Sequence, residues 1–310
     1  MRIVVVGAGG VGGLIGGLLA HSGVDVSFVA RGAQLQALRE GGLRVESPRG
    51  TFHLPRVDAS DDPAALRPAD AVVLAVKAWQ VPAIAPRLAP LVAQGGFAVP
   101  LENGIEAPDT LARALGEERV IGGLCHLFAW LEAPGSVRHR GDLLRVMVGE
   151  RRGGGSPRVE AFAEALRAAR IDVLVARDIE AAVWEKFLFI SPFAGVGAVT
   201  RAPVGVLRSL PETRALLTSA MEEVAAVARA RGVRVGSDVV HKTMAAIDRL
   251  APETTASMQR DIQAGRPSEL LDLAGAVVRT GREAGVPVPV NTFLFAALLP
   301  QEEAARRGAA

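Results

Sequence analysis

The chain of 310 residues has no tyrosine and only one cysteine, Cys125. Without a phenol it cannot use a tyrosine hydroxyl as a proton donor, which excludes the short-chain dehydrogenases and the aldo-keto reductases. A single cysteine rules out an internal disulfide framework and a multi-cysteine zinc site. His126 and His139 have no partners at metal-ligand spacing, so no metal is expected and both read as structural. Cys125 reads as a small buried hydrophobe. An excess of one charge is missing too: Lys and Arg number 35 against 33 Asp and Glu, a net +2, and they are scattered. Neither nucleic acid nor a membrane surface is therefore expected as a partner. No cleavable leader pattern and no unbroken apolar run of about 18 residues is present, so a soluble cytoplasmic protein is expected. Aromatic residues make up 4%, yet hydrophobic residues reach 49%, enough for a large core and, at this length, for two domains.

The first stretch, "MRIVVVGAGGVGGLIGGLLAHSG", opens with a β-branched strand from Ile3 to Val6, turns at Gly7 and continues as a helix towards Ala20. Gly7, Gly9 and Gly12 fit G-x-G-x-x-G in the strand–turn–helix setting that binds a dinucleotide. Gly7 permits the tight turn, Gly9 lets the backbone approach a pyrophosphate, and Gly12 lets helix and strand pack closely. Gly7, Ala8, Gly9, Gly10, Val11 and Gly12 are thus candidate cofactor residues at a helix N-terminus that favours an anion.

The second strand, "VDVSFVAR", separates the two nicotinamide cofactors. A carboxylate at its carboxyl end would accept from a ribose 2′-hydroxyl, but Asp25 stands at the opposite end and Arg31 stands here. A guanidinium suits a 2′-phosphate, so NADP is expected. The apolar stretches "DAVVLAVKAWQ" and "GGFAVPLENGIEA" read as further parallel strands leading to Lys77 and Asn103. Ligands of open α/β sheets bind beyond such carboxyl ends, which makes both residues candidates for the cofactor and the substrate. Residues 119–151 read as several strands joined by turns, and "RIDVLVARD" as a last short strand.

Around Asp178 the pattern changes to helical periods, broken by Pro192, Pro203, Pro211 and Pro252. The fold class is therefore α/β, with a Rossmann-type domain over 1–178 and an all-helical domain over 179–310. In the helical half, Lys186 interrupts the oily segment "WEKFLF", with Ala182, Val183, Phe189 and Ile190 as its helical neighbours. An ammonium there is costly unless it is partnered or used. In "SMQRDIQAGRPSELLDLAG", Ser257 opens a helix, Ser268 is placed to cap the next, and Glu269 falls in that helix's first turn, where the dipole favours a carboxylate. The terminal "QEEAARRGAA" reads as a solvated, fraying end.

Taken in order, "GAGGVGG", "LAVKAWQ", "LENG", "WEKFLF", "SMQRDIQAGRPSE" and "GVPVPVNT" resemble the ketopantoate reductases (2-dehydropantoate 2-reductases) over nearly the whole chain. The resemblance implies a helical domain like the one in 6-phosphogluconate dehydrogenase and a cleft site. It also implies NADPH-dependent reduction of 2-dehydropantoate to (R)-pantoate, on the way to pantothenate and coenzyme A. Lys186 matches the family's catalytic lysine, the general acid. Glu269 matches an acidic residue near the substrate hydroxyl and the cofactor, and Ser257 a serine that contacts the substrate carboxylate. Asn103 and Lys77 match cleft residues near nicotinamide and substrate. The chain departs from the pattern at Ile190 and Ala194, where better-known members carry asparagines, and at Thr254, often asparagine too. Another 2-keto acid as substrate, or a non-catalytic NADP-binding sensor, are the alternatives. The helical domain leaves a homodimer open.

Overall fold

The computed structural model describes residues 1–309, with the side chain of Ala309 left out. The chain divides into two compact units, residues 1–102 with 107–179, and residues 103–106 with 180–310. The first contains β1 (Arg2–Val6), α1 (Gly10–His21), β2 (Asp25–Val29), α2 (Gly32–Gly41), β3 (Leu43–Ser47), β4 (Gly50–Leu54) and β5 (Asp58–Ser60). It continues with β6 (Ala71–Leu74), α3 (Val81–Ile84), β7 (Phe97–Pro100), α4 (Ala107–Leu115), β8 (Gly122–Ala133), β9 (Ser136–Gly149), α5 (Pro157–Ala168) and β10 (Asp172–Val175).

A parallel sheet in the order β5-β2-β1-β6-β7 forms the centre of this unit. Its strands are apolar throughout because both faces are covered. Ile3 and Val5 of β1 join one buried cluster with Phe28, Val73 and Val99. Val4 and Val6 join another with Val72, Leu74 and the α4 residue Leu111. The strand order reverses between β1 and β6, and ligands of open α/β sheets bind beyond the carboxyl ends of strands at such a reversal. Asp25 lies at the amino end, opposite Arg2 in the register, and pairs with it at 2.7 Å.

The region expected to hold several strands is instead one long antiparallel hairpin, β8–β9, with register shifts at Leu127/Ala129 and Leu131/Ala133. It joins a second sheet ordered β10-β9-β3-β4. The bulges bend the hairpin, and their irregular alternation reads in sequence as breaks between strands. The small residues of α1 let that helix pass between the sheets, with Gly13 facing Val137 and Gly16 facing Phe28.

The second unit is helical: α6 (Ile179–Thr200), α7 (Val204–Ser209), α8 (Pro211–Ala230), α9 (Val239–Asp248), α10 (Ser257–Gln263), α11 (Ala274–Glu283) and α12 (Pro289–Ala309). Its core gathers Phe187, Leu188, Val196, Leu217, Met221, Val224, Leu273 and Leu294. By length and composition α6 is apolar enough to cross a bilayer, but 61% of its most apolar window is buried within the fold. Pro192 was expected to break this segment and instead lies inside α6, where it is buried with its neighbours Ser191 and Phe193. Packing of the whole helix outweighs the one hydrogen bond that the ring removes. The carboxyl-terminal residues are largely exposed, as expected, but they stay helical rather than fraying. α12 continues to Ala309, and Glu302 within it is only 1% exposed.

Candidate functional site

The candidate residues fall into two groups, one in each unit. In the first, Gly7 follows β1 with φ +96°, and its backbone N–H donates to Val29 O at 2.9 Å. A Cβ on Gly7 would lie 2.7 Å from Ala75 O, and one on Gly12 would lie 2.0 Å from Gly7 O. Only glycine permits this turn, which brings α1 against the ends of β1 and β6. Gly9, the N-cap residue, faces open space, with no heavy atom within 4 Å of the position a Cβ would take. No side chain caps α1 and no acidic residue occupies its first turn. Its leading N–H groups are therefore presented to an anion rather than satisfied internally. Arg31 is the N-cap of α2, exposed, and makes no ion pair among the described residues. An uncapped glycine turn with open space at Gly9 and an unengaged guanidinium at the end of β2 fits a dinucleotide.

Lys77 stands three residues beyond β6. Its backbone N–H donates to Gln80 Oε1 at 3.1 Å, and its ammonium lies over the Trp79 ring, 5.7 Å from the centroid. The preceding residue, Val76, donates its N–H to Glu102 Oε1 at 3.2 Å, which ties the end of β6 to the end of β7. Glu102 is 9% exposed and did not stand out in the sequence, where it reads as part of a loop.

The second group gathers around Glu269, which is 5% exposed. Asn103, three residues past β7, donates from Nδ2 to Glu269 Oε2 at 3.1 Å. Ile105 packs into the helical core, and Glu106 pairs with Arg279 at 2.7 Å, so residues 103–106 are fastened to this unit along their length. Arg279 also donates to Leu271 O at 2.9 Å, which holds the turn carrying Glu269 against the same segment.

Glu269 is not in the first turn of a helix, as expected, and Ser268 does not cap one. α11 begins only at Ala274, with Leu273 as its N-cap. Ser268 is captured instead by Glu302 of α12: its backbone N–H donates to both carboxylate oxygens at 3.1 and 3.0 Å, and its Oγ donates at 2.5 Å. Arg306 completes the cluster, donating from Nε to Glu302 at 2.6 Å and from Nη2 to Ser268 O at 3.2 Å. With its hydroxyl held 34 residues away, Ser268 can bond only the N–H of Leu270, and residues 268–273 form a turn. Glu302 thus holds the residue next to Glu269, an anchor that a local sequence pattern could not reveal.

Asp272 shares this turn, donating its N–H to Glu269 O at 3.1 Å. Among the described residues its buried Oδ2 has no hydrogen-bond partner. Burial first, then the charges of Glu269 and Glu106, push its carboxyl up to about 6, opposed by Arg279 and Arg306.

Lys186 and Ser257 lie in the same unit but bond to neither member of the Asn103–Glu269 pair. Lys186 is half-buried on a face of α6 that includes Ala182, Val183, Phe189 and Ile190, all half-buried too, whereas Trp184, Phe187 and Leu188 turn into the core. Its ammonium makes no ion pair among the described residues. Ser257 is the exposed first residue of α10. That helix is anchored by Gln259, fully buried, which donates to Ala202 O at 3.1 Å. Ala194 is 2% exposed and belongs to the core. Among the described residues no group of His, Cys, Asp and Glu is placed to hold a metal. His139 is buried between Ser47 Oγ at 2.9 Å and Leu143 O at 3.2 Å, and burial lowers its pKa. Cys125 is buried in the first unit.

Comparison with known proteins matches residues 3–153 to the family described as "Ketopantoate reductase PanE/ApbA" and residues 178–302 to its C-terminal counterpart. The chain is 33% identical over 291 residues to a 2-dehydropantoate 2-reductase of Halobacterium salinarum, covering 94% of this chain and 95% of the relative. It is 28% identical over 299 residues to the uncharacterized oxidoreductase YkpB of Bacillus subtilis, covering 96% and 98%. A crystal structure of a PanE/ApbA family ketopantoate reductase from Ralstonia eutropha JMP134 superposes with a TM-score of 0.90 at 30% identity, covering 99% and 100%.

Proposed function

The chain belongs to the ketopantoate reductase family, NAD(P)-dependent oxidoreductases acting on a CH–OH group, and from that premise we propose that it reduces 2-dehydropantoate to (R)-pantoate with NADPH. The reading is supported by the Asn103–Glu269 hydrogen bond, which gives a buried carboxylate a donor from residues 103–106 of the same unit.

The glycine turn Gly7–Gly12 holds the pyrophosphate through backbone N–H groups, and Arg31 pairs with the 2′-phosphate. When bound, the cofactor supplies a hydride. Lys186 stabilises the negative charge that grows on the C2 oxygen of the keto acid and gives that oxygen its proton. Tyrosine is absent from the chain, and this lysine takes the proton-donor role. Glu269, buried and fixed by Asn103, accepts from the substrate hydroxyl. Ser257 Oγ donates to the substrate carboxylate, and Lys77 binds at the nicotinamide end. Product pantoate feeds pantothenate and coenzyme A synthesis.

A second reading keeps the chemistry and changes the 2-keto acid. It is favoured by Ile190, an apolar side chain on the same half-buried face as Lys186. A site built without polar contacts discriminates by shape, and a site built with them rejects substrates that leave them unmatched. NADPH oxidation by the purified protein, measured against 2-dehydropantoate and a panel of branched and aromatic 2-keto acids, tests both. The highest kcat/KM with 2-dehydropantoate supports the first reading, and a higher value with another keto acid replaces it by the second. Tight NADPH binding with no turnover of any of them would overturn the enzyme reading altogether.

A further inference from the structure

Gln34, the third residue of α2, makes two hydrogen bonds that the binding of a cofactor does not itself require. Its Nε2 donates to Ala8 O, in the glycine turn, at 2.7 Å. Its Oε1 accepts from the N–H of Gly135, in the turn between β8 and β9, at 2.8 Å. A carbonyl can only accept and a backbone N–H can only donate, so one amide orientation alone satisfies both, and the side chain is locked. Gly135 is itself held, because its carbonyl accepts from Arg44 N of β3 at 2.8 Å. One side chain therefore braces α2 against the glycine turn and against the second sheet.

Arg31 lies three residues before Gln34. On its amino side the chain is fixed by Ala30 N–H donating to Ser60 O at 2.9 Å. On its other side Gly32 adopts φ +55°, and no side chain caps the start of α2. A glycine hinge beside an uncapped helix start would leave the place of Arg31 soft. The Gln34 brace removes that freedom by fixing the first turn of α2 to Ala8. A dinucleotide with a 2′-phosphate offers two anionic groups at a set separation. Meeting both needs a set spacing between the amide turn and the guanidinium.

We infer that Gln34 is a positioning residue for cofactor choice: it fixes the spacing between the Gly7–Gly12 turn and Arg31, and so favours a dinucleotide carrying a 2′-phosphate over one with a free 2′-hydroxyl. The inference rests on the NADPH reading above.

Calorimetric titration of the full-length protein with NADPH and with NADH, alongside steady-state kinetics, tests it. Gln34→Met keeps the volume and removes both hydrogen bonds. It is expected to weaken NADPH binding about tenfold and NADH binding no more than about twofold. KM for NADPH rises with it, while kcat at saturating NADPH is retained. Gln34→Glu keeps the acceptor for Gly135 but sets a carboxylate against Ala8 O, and is likewise expected to weaken NADPH more than NADH. In an Arg31→Ala background, Gln34→Met no longer distinguishes the cofactors. Equal weakening of NADPH and NADH by Gln34→Met, or an unaltered preference, overturns the inference. A wild-type protein without preference for NADPH, or an Arg31→Ala variant that loses both cofactors equally, overturns the cofactor reading beneath it, and the inference falls with that reading.

Discussion

Asn103 and Glu269, separated by 166 positions in the chain, are joined by a hydrogen bond of 3.1 Å from Nδ2 to a carboxylate that is 5% exposed. A carboxylate so far from solvent relies on its donors, and Asn103 supplies one. Replacing Asn103 by alanine removes that donor and is expected to cost about 1–3 kcal/mol of stability, with a fall in kcat/KM for the keto acid. Asn103→Asp is expected to be worse, because two carboxylates would then face each other. Thermal unfolding and turnover of the two variants at pH 8 decide the matter. An Asn103→Asp protein as stable as wild type would show that the bond does not hold Glu269.

Lys186 occupies a half-buried face of α6 rather than its core side. Its removal should therefore leave the fold intact, within about 0.5 kcal/mol. If its ammonium donates the proton, Lys186→Ala loses on the order of 10²–10⁴ in kcat, with NADPH affinity nearly unchanged. Lys186→Arg keeps the positive charge but gives up a proton far less readily, so it restores only part of the rate. Wild-type turnover in Lys186→Ala would remove the residue from the chemistry.

These features differ in how openly the sequence displays them. The glycine turn is legible because its whole logic lies in six consecutive residues after a β-branched strand. Arg31 is legible because counting along β2 puts it at the carboxyl end and Asp25 at the other, where the structure pairs Asp25 with Arg2. Lys186 stands out by helical period alone. The turn carrying Glu269 is different, because a serine followed by a glutamate and apolar residues reads locally as a capped helix. That local preference loses to a buried carboxylate, Glu302, arriving from a helix 34 residues later. The β8–β9 hairpin misled for a related reason, since its bulges interrupt the alternation by which a strand is recognised.

Glu302 is expected to be a large single contributor to the stability of the helical unit. It accepts from Ser268 N, Ser268 Oγ and Arg306 Nε while fully buried at its side chain. Truncating one member of a buried, hydrogen-bonded charged cluster leaves its partners unmatched, and Glu302→Ala should cost about 3 kcal/mol. Glu302→Gln keeps the shape and should recover part of that loss. Denaturant unfolding provides the measurement, and a loss below about 1 kcal/mol for Glu302→Ala would contradict the burial argument. Because the cluster holds the residue next to Glu269, both variants should also lower kcat/KM.

Asp272 predicts a pH dependence whose sign follows from its raised carboxyl. In the unfolded chain the group titrates near 3.8, and in the folded protein at about 6. Between those values the folded state binds more protons than the unfolded state, so stability falls as pH rises through this window and levels off above it. The ionised group thus costs the fold free energy at neutral and alkaline pH. The full difference corresponds to about 3 kcal/mol, and since Asp272 is only partly buried, solvent screening trims it to on the order of 1–2 kcal/mol. Asp272→Asn carries a neutral side chain of the same shape. It should be more stable than wild type by that amount at pH 8, by less near pH 5, and by nothing at pH 3.5. The difference between the two stability curves isolates this one group from all other titrations. A difference that stays flat from pH 4 to pH 8 would mean that Asp272 ionises in the folded protein as it does in water, and that its buried Oδ2 finds a partner when the molecule is dissolved.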